Sequence, residues 1–182
     1  MISKKRMSQR MDASNYSAEE TLRDGSRVEI RALKPADREA LVGAVGRMSD
    51  ESMRRRFFAP KRHFSEREIE FFTNVDFVDH VALVAVRNVD GRQTIVGSGR
   101  YIVTQPGVAE VAFTVDDAHQ GLGIGGRLMR HLAAIARESG VRELVAEVLP
   151  ANAAMLTVFK KCGLKMESSH ADGVVHVTLR LA

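Results

Sequence analysis

The stretch Gln120-Gly121-Leu122-Gly123-Ile124-Gly125-Gly126 lies between a predicted strand and a strongly periodic predicted helix. Glycines allow the backbone to approach a ligand closely and to turn successive N–H groups toward one point. The N-terminus of the helix adds partial positive charge at the same place. The stretch therefore indicates a loop that binds a pyrophosphate group.

Two other interpretations fit the residues of this loop. It is either a plain flexible turn before a helix, or a dinucleotide-binding loop through Gly121, Gly123 and Gly126 with Glu147 as the ribose ligand. In a dinucleotide-binding fold, however, the strand runs almost directly into the first glycine. Here residues 116–120 intervene and antiparallel hairpins precede the loop, so we reject the dinucleotide interpretation and leave the plain turn open.

The elements around the loop predict the fold class. Alternating or continuous apolar runs predict strands over residues 28–33, 80–87, 95–103, 109–115, 144–148, 164–168 and 174–181. Apolar spacing and capping residues predict helices from Pro35, over 50–57, from Ser65 to about Asn74, from Ile124 to Gly140, and from about 153 to Gly163. This order predicts a single α/β domain with a mixed, mostly antiparallel sheet flanked by helices.

Length and composition exclude several classes of protein. The chain has 182 residues, of which 45% are hydrophobic and 27% charged, which is typical of one globular domain. We expect residues 1–24, which lack apolar periodicity, to form a flexible head, and residues 25–182 to form the domain. A single cysteine excludes a disulfide framework. With no apolar run long enough for a membrane span and a polar N-terminus, the expected location is cytoplasmic.

The net charge of +4 favours anionic partners only weakly. Basic residues are dense in one place, where Arg54–Arg56, Lys61 and Arg62 alternate with Phe57 and Phe58. We interpret this cluster as a solvated helix face whose phenylalanines point inward. A nucleic-acid-binding surface is the alternative, and it would show salt-sensitive binding.

The loop in its context resembles the acyl-CoA pyrophosphate motif of the GNAT superfamily of N-acetyltransferases, through Gln120-x-x-Gly123-x-Gly125. A segment that starts at Asn152 and ends in Gly163-Leu164 is similar to the following helix of that family. The predicted element order also fits from Val28 to Leu181. Within the superfamily, the chain resembles the bacterial Pat-type protein lysine acetyltransferases. The residues that carry this closer resemblance are Arg31–Asp37, Met48–Met53 leading into Arg56-Phe57-Phe58, Asp76, and Ala109-Glu110.

The resemblance implies direct attack of a protein lysine amine on acetyl-CoA, which is a co-substrate, with no metal. It implies a protein substrate such as an acyl-CoA synthetase. The absence of a long apolar run and of a recognisable nucleic-acid-binding module around the basic cluster predicts that neither a membrane nor a nucleic acid is a partner. A lysine amine is almost wholly protonated at pH 7, so a base is needed. Pat-type enzymes place their base in the strand before the phosphate loop, where Glu110 is the only carboxylate between Ala109 and Val115. A solvent-facing strand residue is the alternative role for Glu110.

The remaining site residues are likewise implied by the resemblance. Backbone groups of this strand would hold the oxyanion and pair with pantetheine, and Asn152 would bind pantetheine or cap the next helix. The expected cofactor-binding residues are Phe113, Thr114, Val115, Gln120, Gly121, Leu122, Gly123, Ile124, Gly125, Gly126, Asn152 and Phe159.

Phe159 departs from the family pattern, because many members have a tyrosine there that protonates the leaving thiolate. We expect Phe159 to be a core residue whose ring lies beside the thioester pocket. Water or Tyr101 could replace the missing acid. A tight turn at Pro106-Gly107 would place Tyr101 opposite Ala112 and diagonal to Glu110.

Other reactive residues rank lower. Cys162 lies in an apolar helical stripe and is expected to be inert, and His80 and His119 are bases of second rank. The six histidines show no metal-ligand spacing, so no metal is predicted. The rival functions are a small-molecule amine acetyltransferase and, because of Phe159, a catalytically silent acyl-CoA sensor.

Overall fold

The computed structural model describes residues 11–59, 61 and 63–181, which contain eight strands and five helices. The strands are β1 (Ser17–Thr21), β2 (Arg27–Ala32), β3 (His80–Val89), β4 (Arg92–Gln105), β5 (Val108–Val115), β6 (Glu143–Val148), β7 (Lys165–Ala171) and β8 (Val174–Arg180). The helices are α1 (Arg38–Gly46), α2 (Asp50–Phe57), α3 (Glu66–Thr73), α4 (Ile124–Glu138) and α5 (Ala153–Lys161). In the described part of the chain, no helix is long and apolar enough to cross a membrane.

All eight strands form one sheet in the order β1-β2-β3-β4-β5-β6-β8-β7. The pairs are antiparallel except β5 and β6, which run parallel. The β5–β6 pairing covers three residue pairs and ends at Glu110 and Val145. Beyond that point each strand continues along its outer neighbour, so the sheet opens between them. The predicted fold, a mixed and mostly antiparallel sheet flanked by helices, is confirmed.

Helices cover both faces of the sheet. The apolar stripe of α4 packs on one face, where Leu128, Leu132 and Ile135 are fully buried. On the other face, Leu41 of α1 packs against Ala82 and Val84 of β3. Alternation along β5 sends Val111 and Phe113 to the α4 face, and Glu110 and Thr114 to the face that α1–α3 cover.

The prediction of a flexible head is corrected for residues 11–24, while residues 1–10 lie outside the described residues. Strand β1 pairs with β2 over five residue pairs, and Ala13 and Leu22 are buried. The apolar pattern did not reveal β1 because it is an edge strand held largely by polar contacts. The carboxylate of Glu20 lies 2.7 Å from Nε2 of His131 on α4 and also pairs with Arg130.

The register between β4 and β5 differs from the prediction by one residue. Tyr101 pairs with Val111 rather than Ala112, because an irregularity between Val103 and Gln105 adds a residue to β4. A shift of one residue turns a side chain to the opposite face of the sheet. Tyr101 is therefore fully buried on the α4 face, and the prediction that it lies diagonal to Glu110 on the same face is wrong.

Gly99 allows this face of the sheet to pack, and Gly99→Ala is expected to destabilise the fold. A Cβ atom there would lie 2.7 Å from Cδ1 of Phe113 and 2.9 Å from Cδ1 of Leu132. Such overpacking lowers the free energy of unfolding by about 1–3 kcal/mol, which urea unfolding measures. Gly46→Ala is the control, because no atom of the residues that the structure describes lies within 4 Å of a Cβ at that position. Equal stability of the two variants would contradict this account of the core.

Candidate active site

A cleft of about 660 Å³ opens where β5 and β6 separate. Glu110 lines it together with every predicted cofactor-binding residue except Leu122. Residues from five elements, α2, β5, α4, β6 and α5, contribute to the walls, although they lie far apart in the sequence. The structure therefore brings the predicted site residues together in one place.

The glycine-rich loop forms the N-terminal end of α4 in this cleft. Gly121 and Gly123 have φ angles of +80° and +89°, in a region that residues other than glycine rarely adopt. Among the described residues, no side chain caps the first N–H groups of α4, whereas Ser49, Ser65 and Asn152 cap α2, α3 and α5. The first turn of α4 also has no acidic residue. The uncapped N–H groups and the helix dipole suit an anion at this position.

Three arginines beside the loop were missed by the sequence analysis. Arg23 follows β1, and its backbone N–H and its Nη1 donate to the carbonyls of Leu122 and Gly121, each at 3.1 Å. Arg127 donates through Nη1 to the carbonyl of Gly123 at 3.0 Å. Arg23, Arg127 and Arg130 all line the cleft. The positions of Arg127 and Arg130 in the first turns of α4 were a usable signal, but nothing in the sequence indicated Arg23.

Hydrogen bonds from the N-terminal end of helix α2 stabilise the segment that leads into the glycine-rich loop, on the side opposite Arg23. Asp117 accepts hydrogen bonds from the backbone N–H of Ser49 at 2.9 Å and from the hydroxyl of Ser52 at 2.7 Å. Burial raises the pKa of Asp117, but these hydrogen bonds more than offset it and hold the pKa below its ordinary value. The side-chain amide of Gln120 donates to Ser52 and to the carbonyl of Val115, each at 3.3 Å. Gln120 therefore helps to fix the entrance to the loop.

Glu110 is exposed and lies at the last β5–β6 pair, where the cleft begins. It shares a row across the sheet with Ile102 and His80. The carboxylate of Glu110 acts on Arg56 of α2: burial lowers the pKa of Arg56, and the charge of Glu110 opposes that shift. Glu110 thus combines solvent access with a positively charged neighbour on α2.

His80 is a poor candidate for a base that takes up a proton at neutral pH. It is 9% exposed, and burial together with Arg100 lowers its pKa to about 4. Nη1 of Arg100 donates to its Nε2 at 2.9 Å. The other candidate base, His119, lines the cleft, with its Nδ1 3.8 Å from a carboxylate oxygen of Asp116.

Helix α5 closes the far wall of the cleft. The side-chain oxygen of Asn152 accepts from the N–H of Met155 at 3.2 Å, so the capping role of Asn152 is confirmed. Phe159 is 1% exposed and packs edge to face on Phe113, with ring centroids 6.2 Å apart, as expected for a core ring beside the pocket. The thiol of Cys162 donates to the carbonyl of Phe159 at 3.0 Å.

The described residues of the basic cluster have different surroundings. Arg54 is exposed, Arg55 pairs with Glu51, and Arg56 packs over the ring of Phe57 at 4.7 Å. Arg62 lies outside the described residues. Among the residues that the structure describes, no group of three His, Cys, Asp or Glu side chains is arranged to hold a metal ion.

Comparison with known proteins places the chain in a family. The sequence profile of the acetyltransferase (GNAT) family matches residues 48–164. An acetyltransferase of Pseudomonas aeruginosa is 35% identical over 137 residues, which cover 75% of this chain and 74% of that protein. The acetyltransferase Pat of Mycolicibacterium smegmatis is 31% identical over 144 residues, which cover 78% of this chain and 42% of the relative. The crystal structure of the GNAT domain of S. lividans Pat matches with a TM-score of 0.81 and 41% identity, covering 90% of this chain and 96% of that one.

The chain belongs to the GNAT family of acetyltransferases, as the sequence predicted. It is an acetyl-CoA-dependent acetyltransferase that is related to the Pat enzymes. It spans less than half the length of Pat from M. smegmatis, so the activity of that whole protein is not carried over to it.

Arg23→Met is expected to weaken acetyl-CoA binding about tenfold. The variant loses a positive charge beside the glycine-rich loop and a side-chain hydrogen bond that stabilises the loop. Isothermal titration with acetyl-CoA at low and at moderate salt measures the effect, which shrinks as salt screens the charge. Arg27→Met, at an exposed position of the same hairpin paired with Glu19, is the matched control. If both variants bind as the wild type does, Arg23 has no part in the site.

The low pKa of His80 predicts a loss of stability in mild acid. The unfolded chain takes up a proton near pH 6.5, whereas the folded chain does so only near pH 4. The free energy of unfolding therefore falls as pH decreases between these values, by about 3 kcal/mol at most from this residue. Urea unfolding at pH 7 and pH 5 should show this slope flattened in His80→Gln but unchanged in the control His170→Gln. An NMR titration that gave His80 a pKa near 6.5 would overturn the explanation.

Proposed function

We propose that the chain transfers the acetyl group of acetyl-CoA to the side-chain amine of a protein lysine, with Glu110 as the general base. The observation that carries this proposal is the position of Glu110, exposed at the point where β5 and β6 part. The relationship to Pat of M. smegmatis and to S. lividans Pat supports a lysine acceptor. An acyl-CoA synthetase as the protein substrate, and action in the cytoplasm, remain parts of the proposal.

The cleft suits the phosphates and the pantetheine arm of acetyl-CoA. The uncapped N–H groups at residues 121–126, with Arg23 and Arg127 beside them, would bind the pyrophosphate. Between Phe113 and Val115, β5 pairs with β4 but has no register partner on β6. That free strand edge would pair with the pantetheine amides, as an added strand does. Asn152, at the start of α5, would contact the pantetheine arm.

The chemistry needs an amine that has lost its proton. Glu110 would accept that proton, directly or through one water, so that the nitrogen lone pair can attack the thioester carbonyl carbon. N–H groups of Phe113, Thr114 or Val115 would stabilise the oxyanion that forms. When the intermediate collapses, the C–S bond breaks, an amide remains on the lysine, and the thiolate takes up a proton.

The protonation of the thiolate does not require a protein side chain at Phe159. Phenylalanine cannot donate a proton, and Tyr101, which faces away from Glu110 into the core, is not in a position to replace it. A thiol has a pKa of about 8.5, so its thiolate leaves readily and solvent can protonate it. The open cleft gives water that access.

The test uses acetyl-labelled CoA in a desalted lysate supplied with small amines, followed by separation of the label by molecular size. We expect label on discrete proteins, and a reduction of at least 100-fold in Glu110→Gln, which removes the base but keeps the shape. Glu143→Gln is the matched control, since Glu143 lies on β6 outside the cleft and pairs with Arg180. Retention of acetyl-CoA binding in both variants would show that the loss is chemical.

Other outcomes would overturn parts of the proposal. Label only on small amines would identify a small-molecule acetyltransferase, for which the same fold is suitable. Tight acetyl-CoA binding with no transfer would identify a silent acyl-CoA sensor. Unchanged transfer in Glu110→Gln would reject the base assignment alone.

A further inference from the structure

A second cavity, of about 320 Å³, lies on the sheet face that α1–α3 cover. Apolar side chains form most of its wall, among them Val45 of α1 and Phe72 of α3. Met48, Arg56 and Thr114 line both this cavity and the active-site cleft. The cavity therefore adjoins the cleft at Thr114 of β5.

Arg100 supplies a buried positive charge to this cavity, whose wall also includes Arg56 and Lys61. It is 6% exposed and lines the cavity wall. Burial and the charge of Arg56 lower the pKa of Arg100 to about 9, so the guanidinium remains protonated at neutral pH. No carboxylate of the described residues lies within ion-pair distance of it. The guanidinium carbon lies 4.9 Å from the centroid of the Phe72 ring, which attracts the charge but does not neutralise it. Buried charges are normally paired, so the cavity still holds a positive charge with no counter-ion among the described residues.

The hydrogen bonds of Arg100 leave one side of its guanidinium for a ligand. Both of its bonds leave from Nη1, to the carbonyl of Phe72 at 3.1 Å and to Nε2 of His80 at 2.9 Å. The hydrogen bond from Nη1 to Phe72 connects the end of α3 to β4. This structural role accounts for Nη1 but not for the other two guanidinium nitrogens. Nε and Nη2 have no acceptor among the described residues, and together they form the edge that binds a carboxylate through two parallel hydrogen bonds.

We infer that the second cavity binds a small molecule made of an apolar stem and a terminal carboxylate, with the carboxylate on Arg100 and the stem among the apolar side chains. Its volume is at the lower end of the range for ligand pockets and suits a stem of a few carbons. Two sources have this chemistry. One is the far end of the acyl group of a donor thioester, which rests on the proposed binding of acyl-CoA, and the other is a free carboxylate, which does not.

Both sources share an apolar stem with a terminal carboxylate, and a binding measurement with such a molecule tests whether the cavity holds it. Isothermal titration compares hexanoate with hexanamide, which has the same stem without the charge. We expect the wild type to bind hexanoate at least tenfold more tightly than hexanamide, and Arg100→Met to lose that preference. Arg137→Met is the control, because Arg137 lies on α4 and donates to the carbonyl of Leu181, away from the cavity.

A second titration distinguishes the two sources by comparing succinyl-CoA with butyryl-CoA, whose acyl chains have equal length. A preference of at least tenfold for succinyl-CoA that Arg100→Met abolishes assigns the carboxylate to the acyl group. Selective binding of hexanoate with equal affinity for the two thioesters assigns it to a free ligand. If neither comparison shows a preference for the carboxylate, or if Arg100→Met retains it, the inference is wrong.

A second variant, Val45→Phe, tests the cavity in case Arg100→Met fails to fold. It narrows the cavity from α1 and leaves Arg100 intact. It should weaken hexanoate binding while acetyl-CoA binding persists, and undiminished hexanoate binding would contradict the inference. The proposed lysine transfer can fail without affecting these titrations, since none of them requires an acceptor. The two failures are therefore distinguishable.

Discussion

The separation of β5 from β6 is the constraint on which the site depends. Two parallel strands that stayed paired would leave no room between them and no free backbone groups. Here pairing ends at Glu110 and Val145, because each strand then follows its outer neighbour, β4 or β8. The opening creates the cleft, leaves one edge of β5 unpaired and exposes Glu110 at its inner end. The proposed phosphate site, pantetheine edge and base are consequences of this one feature.

Polar contacts hold the loop at the outer end of the cleft. Asp117 and the serines of α2 fix it on one side, and Arg23 fixes it on the other. These contacts connect segments that are distant in the chain, so the order of the loop depends on the whole fold. An anion site built from backbone N–H groups needs this support, because its strength comes from groups that are already in position before the ligand arrives.

Local patterns were enough to predict most elements of the fold. Helix α2 has the predicted bounds, the capping box at Ser65 begins α3, and Asn152 caps α5. Helix ends are decided by nearest neighbours in the sequence, so these residues carry the information themselves. Clustering of the loop, Glu110 and Phe159 in one cleft agrees with the resemblance to the family.

The features that could not be predicted are those set by distant contacts. The irregularity between Val103 and Gln105 has no local signature, yet it sends Tyr101 to the opposite face of the sheet. Strand β1 was missed because its stability comes from pairing with β2 and from contacts with α4, not from an apolar pattern. Arg23 and Arg100 gain their surroundings only when the sheet is assembled.

A crystal structure of the complex with acetyl-CoA tests the central claim most directly. The account predicts the pyrophosphate on the N–H groups of residues 121–126 and the pantetheine amides paired with β5 at residues 113–115. It also predicts that the thioester carbonyl lies where Glu110 can reach an attacking amine directly or through one water. Acetyl-CoA bound outside the opening between β5 and β6, or a thioester remote from Glu110, would contradict it.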